Sequence, residues 1–209
     1  MSQPVGRRER KKAQTRQALA EAALRLFLER GYDQVGVREI ADAADVSTTT
    51  LFKYFPSKEA LFFDLEEETE VALVAVVRDR PPGRSIPEAL REHLRHRVDV
   101  LLDDPRAGPW REIVTTTPVL QDYARRMWLR HEATLAKTIA SEVDAPDDDP
   151  ACAALARFAL EAVDLVLQHP NPQTALEAIF GLLEHGWTAE AKNPETLRDR
   201  PHTENESRG

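Results

Sequence analysis

Proline placement constrains this chain more than any other feature. Pro56, Pro81, Pro82, Pro105, Pro109, Pro118, Pro146, Pro150, Pro170 and Pro172 fall at the edges of longer blocks, and the blocks between them run uninterrupted for helical lengths. A proline inside a helix loses a hydrogen bond and clashes with the preceding turn, so edge prolines read as helix punctuation. Within the blocks apolar residues recur at spacings of three and four, as a helix with one buried face requires. No stretch alternates apolar and polar residues with β-branched enrichment, and only 8 of 209 residues are glycine, so hairpin turns are scarce. The expected fold is all-α, with about nine helices.

The first helix is expected from about Arg10 to Arg30, with Gly31 as its stop. Short helices follow over about Val37 to Ala44 and Thr48 to Tyr54, joined at Asp45-Val46. Gly36 caps the first of these, with Glu39 three residues on. Ser47 caps the second, and Pro56 ends it. A single long helix from Lys58 to Arg78, capped by Ser57, would span roughly 30 Å. Beyond the breaker Arg80-Pro-Pro-Gly-Arg84, a capping box at Ser85 and Glu88 starts a helix to about Leu102. Further helices are expected over Trp110 to Thr116, Val119 to Val143, Ala151 to Gln168, and from Pro172 to about Ala191. Residues 192–209 have few apolar groups and read as a disordered tail.

The net charge of −8 is unevenly spread. Residues 1–60 carry 11 Lys and Arg against 8 Asp and Glu, while the remainder carry 17 against 28. A basic end on an acidic body implies that only the N-terminal part meets a polyanion. One cysteine, Cys152, excludes an internal disulfide and any multi-cysteine metal site. The longest apolar run, Val71 to Val77, falls far short of the roughly 20 residues of a membrane span. No apolar stretch follows the basic N-terminus, so no secretory signal is read and a cytoplasmic protein is expected.

Two short helices joined by a tight turn and backed by a longer amphipathic helix make a helix-turn-helix. A helix that enters a major groove needs small or hydrogen-bonding side chains at its N-terminal end, which Thr48, Thr49 and Thr50 provide. Leu51 and Phe55 suit its inner face. Phe52, Lys53 and Tyr54 face or flank the DNA, and Lys58 at the next helix start can reach a phosphate. The run Arg7-Arg-Glu-Arg-Lys-Lys12 reads equally as a minor-groove arm or a solvated tail.

Residues from about Thr15 to Phe62 resemble the DNA-binding domain of TetR-family transcriptional regulators. The resemblance rests on Ala22-Ala-Leu-Arg-Leu-Phe27, Glu29-Arg-Gly-Tyr32, Val37-Arg-Glu-Ile-Ala41, Ala44-Asp-Val-Ser47 and, above all, Leu51-Phe-Lys-Tyr-Phe-Pro-Ser-Lys-Glu-Ala-Leu61. It implies a DNA-binding domain over residues 1–57 and an effector-binding and dimerisation domain over 58–191. It further implies base contacts from Thr48, Thr49, Thr50 and Lys53, and phosphate contacts from Arg38, Tyr54 and Lys58. Phe52 stands where many members carry a tyrosine, which leaves it an apolar contact such as a thymine methyl. The implied function is a homodimeric repressor that binds a palindromic double-stranded operator and is released by a small-molecule ligand. A regulator without such a ligand, controlled by a partner or acting as an activator, is the alternative.

The rest of the chain is less specific. Trp110, Tyr123, Met127, Trp128 and His131 offer aromatic, polarisable and polar groups for an effector pocket, and are equally good core residues. His93 and His96 have a spacing that could hold a metal, but further ligands are missing nearby, so neither metal nor cofactor is expected. Asp64, Glu66, Glu67, Glu68 and Glu70 read as a solvated face. No nucleophile motif or phosphate loop is present, so no catalytic residue is assigned and an enzyme is not expected. The last two helices each carry an apolar stripe: Leu155, Phe158, Ala162 and Val166 on one, and Leu176, Ile179, Phe180, Leu183 and Trp187 on the other. Leu160, Leu165, Leu167 and Leu182 lie off these stripes. A helix apolar on more than one side must be buried on more than one side, which points to a dimer interface built from this pair.

Overall fold

In a computed structural model of the chain, residues 6–186 are described, and among them ten helices occur and no strand. The tail over 192–209, the end of the last helix near Ala191, and Trp187 lie outside the described residues. The helices are α1 (Arg7–Arg30), α2 (Val37–Ala43), α3 (Thr48–Tyr54), α4 (Lys58–Phe62), α5 (Glu66–Arg78), α6 (Ile86–Asp103), α7 (Ala107–Thr116), α8 (Pro118–Glu142), α9 (Pro150–Gln168) and α10 (Pro172–His185).

Most ends follow the capping chemistry written in the sequence. The side chains of Ser47, Ser57 and Asn171 accept hydrogen bonds from the backbone N–H groups of Thr50, Ala60 and Thr174. Ser85 and Glu88 form a reciprocal box. Glu39 accepts the Gly36 N–H at 2.9 Å and also binds Arg30, tying the end of α1 to the start of α2. Gly31 closes α1 at a φ of +82°, which glycine adopts without strain. The basic run Arg7 to Lys12 is neither an extended arm nor a tail here, because it forms the opening turns of α1.

One expected helix is two. The Lys58 to Arg78 segment breaks at Phe63-Asp64-Leu65. Leu61, Phe62 and Phe63 are all buried. Three successive residues of a straight helix point some 100° apart and cannot all reach one core. The break lets them do so, and the Arg16 guanidinium donates to the freed Asp64 carbonyl.

Two apolar cores result. The first joins α1 through α4 with Leu120 and Met127 of α8. The second joins α5, α6, α8, α9 and α10 around Leu90, Leu135, Leu176 and Phe180. We call α1–α4 the head and the remaining helices the body.

The second core corrects the expected dimer stripes. Ala162, Val166, Leu176 and Phe180 are fully buried inside the chain itself, so they cannot meet a partner. Leu155, Ile179 and Leu183 are half-buried. The exposed apolar residues are Phe158 (54% exposed), Leu165 (59%) and Leu182 (42%), two of which the sequence places off the stripes. Both faces of α9 and α10 are apolar, and only packing decides which one turns inward. We expect Leu176→Ala and Phe180→Ala each to lower the unfolding free energy by about 2–5 kcal/mol in urea titrations. Unchanged midpoints would mean that these side chains are not core.

Candidate nucleic-acid interface

The head is built around Phe27, Ile40, Leu51 and Phe55, which are essentially inaccessible to water. Leu51 and Phe55 anchor the inner face of α3, as its sequence requires. The turn before α3 passes through Asp45 at a φ of +53°, a left-handed conformation that aspartate tolerates. The Val46 N–H then donates to the Ala41 carbonyl and closes the turn.

This packing leaves one face of α3 open. Thr49 and Lys53 are exposed, and Phe52 is 48% exposed. Tyr54 and Thr48 are half-buried at its margins. The Thr50 hydroxyl lies 2.9 Å from that of Ser47 and takes part in the cap. Arg38 is exposed on the first turn of α2. The open face therefore carries a hydroxyl, an aromatic ring and an ammonium, flanked by a guanidinium. Such a surface can hydrogen-bond base edges, touch a methyl group and neutralise phosphates.

Lys58 does not join that face. Its Nζ donates to the Tyr32 carbonyl and sits 3.8 Å from the centroid of the Tyr32 ring. Burial lowers its basicity. Beside it, the Tyr32 hydroxyl donates to Glu59 at 2.7 Å, and burial followed by that carboxylate raises the phenol's pKa. Lys58 thus fastens α4 to the end of α1. In the expected pattern, Arg38→Ala reduces the salt dependence of DNA binding by about one phosphate contact, while Lys58→Ala leaves the slope unchanged and destabilises the head. Affinity measured against salt concentration, beside thermal melting, checks both.

Residues 19–65 match the signature described as bacterial regulatory proteins, tetR family. Over 153 residues the chain is 33% identical to the HTH-type transcriptional regulator TcmR of Streptomyces glaucescens, covering 68% of this chain and 67% of that protein. The chain belongs to the TetR family of transcriptional regulators. It is similar also to the HTH-type regulator RutR of Escherichia coli K12, at 31% identity over 56% of this chain and 57% of RutR. Its fold is similar to that of NalD of Pseudomonas aeruginosa, with a TM-score of 0.56 and 21% identity over 84% of this chain and 98% of that one.

In this TetR-family regulator four of the five residues assigned to an effector pocket, Trp110, Tyr123, Met127 and Trp128, pack in or against the first core, and His131 lies at its edge. Trp110 stacks on Phe62 with ring centroids 5.2 Å apart, and Tyr123 stacks on Phe63 at 5.3 Å. Met127 is buried in the first core. These three belong to the seam between head and body. The Tyr123 hydroxyl donates to Glu66 at 2.8 Å, with its pKa pushed up to about 12 by burial and then by that carboxylate. Trp128 follows Met127 directly and packs against the same core, and its ring meets that of His131, one turn beyond Met127 on α8, edge to face at 5.4 Å. No local signal marks the Phe62-Phe63 seam as a link, because its partners Trp110 on α7 and Tyr123 on α8 are 48 and 60 residues away. No helix among the described residues is long and apolar enough to cross a membrane.

Proposed function

We propose that this protein is a homodimeric repressor that reads a palindromic operator through two copies of α3 and leaves it when a small molecule binds the body. The observation that carries the reading is the open face of α3, with Thr49, Phe52 and Lys53 presented outward over a fully buried inner face. The exposed Phe158, Leu165 and Leu182 on α9 and α10 support the dimer, since apolar side chains left open by the chain's own core are available to a second copy, and a two-fold dimer sets the spacing of two recognition helices. The fold neighbour NalD is described as a repressor of an efflux pump. The division into a DNA-binding part near residues 1–57 and an effector-binding part over 58–191 is part of this proposal, with the aromatic seam as the joint.

Release works through a shift in populations. The ligand must bind the DNA-incompetent dimer more tightly than the competent one, or it shifts nothing. Glu66 at the start of α5 is held by Tyr123 and by Arg130 of α8. A displacement of α5 against α8 is therefore felt at the seam. The test is capture of fragmented source DNA by the purified protein near physiological salt, with sequencing of the retained fragments. Sharp enrichment at a palindrome supports the reading. Uniform, salt-sensitive retention counts against it.

A further inference from the structure

Between the two apolar cores lies a layer of polar groups. On α8 the first core ends at Met127 and the second begins at Leu135. His131 lies between them. It is 1% exposed, and neither of its ring nitrogens has a hydrogen-bond partner. Its Nε2 stands 3.6 Å from Glu70 Oε2 of α5, and Thr134 of α8 reaches the other oxygen of Glu70 at 3.3 Å. α5 and α9 each pack on both α6 and α8, so α6 faces α8 across the bundle. Arg97 and His93 stand one turn apart on α6 and are half-buried.

The arginines of this region are not alike. Arg91 and Arg95 on α6 are paired with Glu177, Glu184 and Glu92, and Arg130 on α8 with Glu66. Arg97 has no hydrogen-bond or carboxylate partner among the described residues, and burial alone lowers its basicity. Burial likewise lowers the basicity of His93 and of His131; Glu70 and Glu66 partly offset this at His131, and Arg97 adds to the lowering at both. The two imidazoles are therefore neutral near pH 7. A desolvated guanidinium without a counter-charge is costly, and so is a buried imidazole without a hydrogen bond. One ligand can relieve both costs. A carboxylate matches the planar fork of an arginine with two parallel hydrogen bonds, and a neutral imidazole can give or take a hydrogen bond from an adjacent polar atom.

We infer that the effector is an amphipathic carboxylic acid, whose carboxylate pairs with Arg97 and whose polar atom bonds His131 in the layer between the two cores. This rests on the proposed reading of the body as the effector-binding part. Glu70, one turn along α5 from Glu66, lies against the same layer. An acid that repels Glu70 moves α5 where the seam begins.

The probes are benzoate, 2-naphthoate, octanoate and decanoate, each set against its own primary amide. Binding to the full chain is followed by tryptophan fluorescence and thermal shift near neutral pH. At least one acid is expected to bind about tenfold or more tightly than its amide, the value of a charge-assisted pair. In Arg97→Gln the preference falls to within about twofold, with the circular dichroism spectrum unchanged. Arg97→Met, which removes an unpaired charge, keeps or raises the melting temperature without ligand. Equal binding of every acid and its amide, a preference that survives Arg97→Gln, or a marked loss of stability in Arg97→Met each overturns the inference. Relief of DNA binding is read separately. Relief by neutral compounds without acid preference overturns the carboxylate and leaves the ligand-released repressor standing. Acid preference without relief does the reverse.

Discussion

Thr49→Ala and Lys53→Ala should each abolish most of the preference for the operator while the head stays folded. A good contact to a base edge contributes about 1–3 kcal/mol, and a two-fold dimer carries each substitution twice. The expected loss is therefore about 2–6 kcal/mol, or roughly thirtyfold at the least. Both side chains are exposed and neither caps a helix, so melting temperature and helical content should not change. Binding to unrelated DNA should fall little for Thr49→Ala, and for Lys53→Ala by no more than one phosphate contact. The measurement is a titration of labelled operator against unlabelled random duplex. Unchanged operator affinity in both variants would remove α3 as the recognition helix. Phe52 offers a subtler check. Its ring can make only an apolar contact, so Phe52→Ala should relax discrimination at a thymine and leave the salt slope alone.

A single charge on α9 should split the proposed dimer. Leu165 and Phe158 are seven residues apart on one face of the helix and more than half exposed. Burying a leucine of this kind contributes about 1.5–3 kcal/mol, and a two-fold interface counts it twice. Replacing it by glutamate also brings two like charges together. Leu165→Glu is therefore expected to weaken association by about a thousandfold or more and to sediment as a monomer at micromolar concentration. The wild-type chain should sediment as a dimer. Affinity for the full palindrome should collapse towards that of a half-site, while the monomer remains folded. Leu176 and Phe180 behave oppositely, because they hold the second core and their truncation lowers stability rather than splitting an interface. A wild-type monomer, or a Leu165→Glu dimer, would remove this face as the interface.

The division between these outcomes follows how far apart the interacting residues lie in the chain. Helix ends depend on groups three or four residues apart, and Ser47, Ser57, Ser85 and Asn171 all cap where their surroundings place them. The inner face of α3 was equally legible, since Leu51 and Phe55 share one side of a short helix. Lys58 was not. At a helix start its exposed position reads as a phosphate contact, but Tyr32, 26 residues earlier, supplies a carbonyl and a ring that draw the ammonium inward. The break at Phe63 carries no glycine or proline. It exists because Phe62 and Phe63 meet Trp110 and Tyr123 from distant helices.

The all-helical chain, its helix-turn-helix and the residues of the open face of α3 were legible without the fold. Proline placement, capping and apolar spacing are local, and a local signal survives without knowledge of the partners. Tertiary structure alone decided which apolar face of α9 and α10 is core and which remains open. It also decided that the aromatic residues join head to body, and that both ring nitrogens of His131 are left without a hydrogen bond between the two cores. The physical reason is that burial is a property of assembled helices. A helix apolar on two sides, or a charged residue on a half-buried face, has no fixed environment until its neighbours are in place.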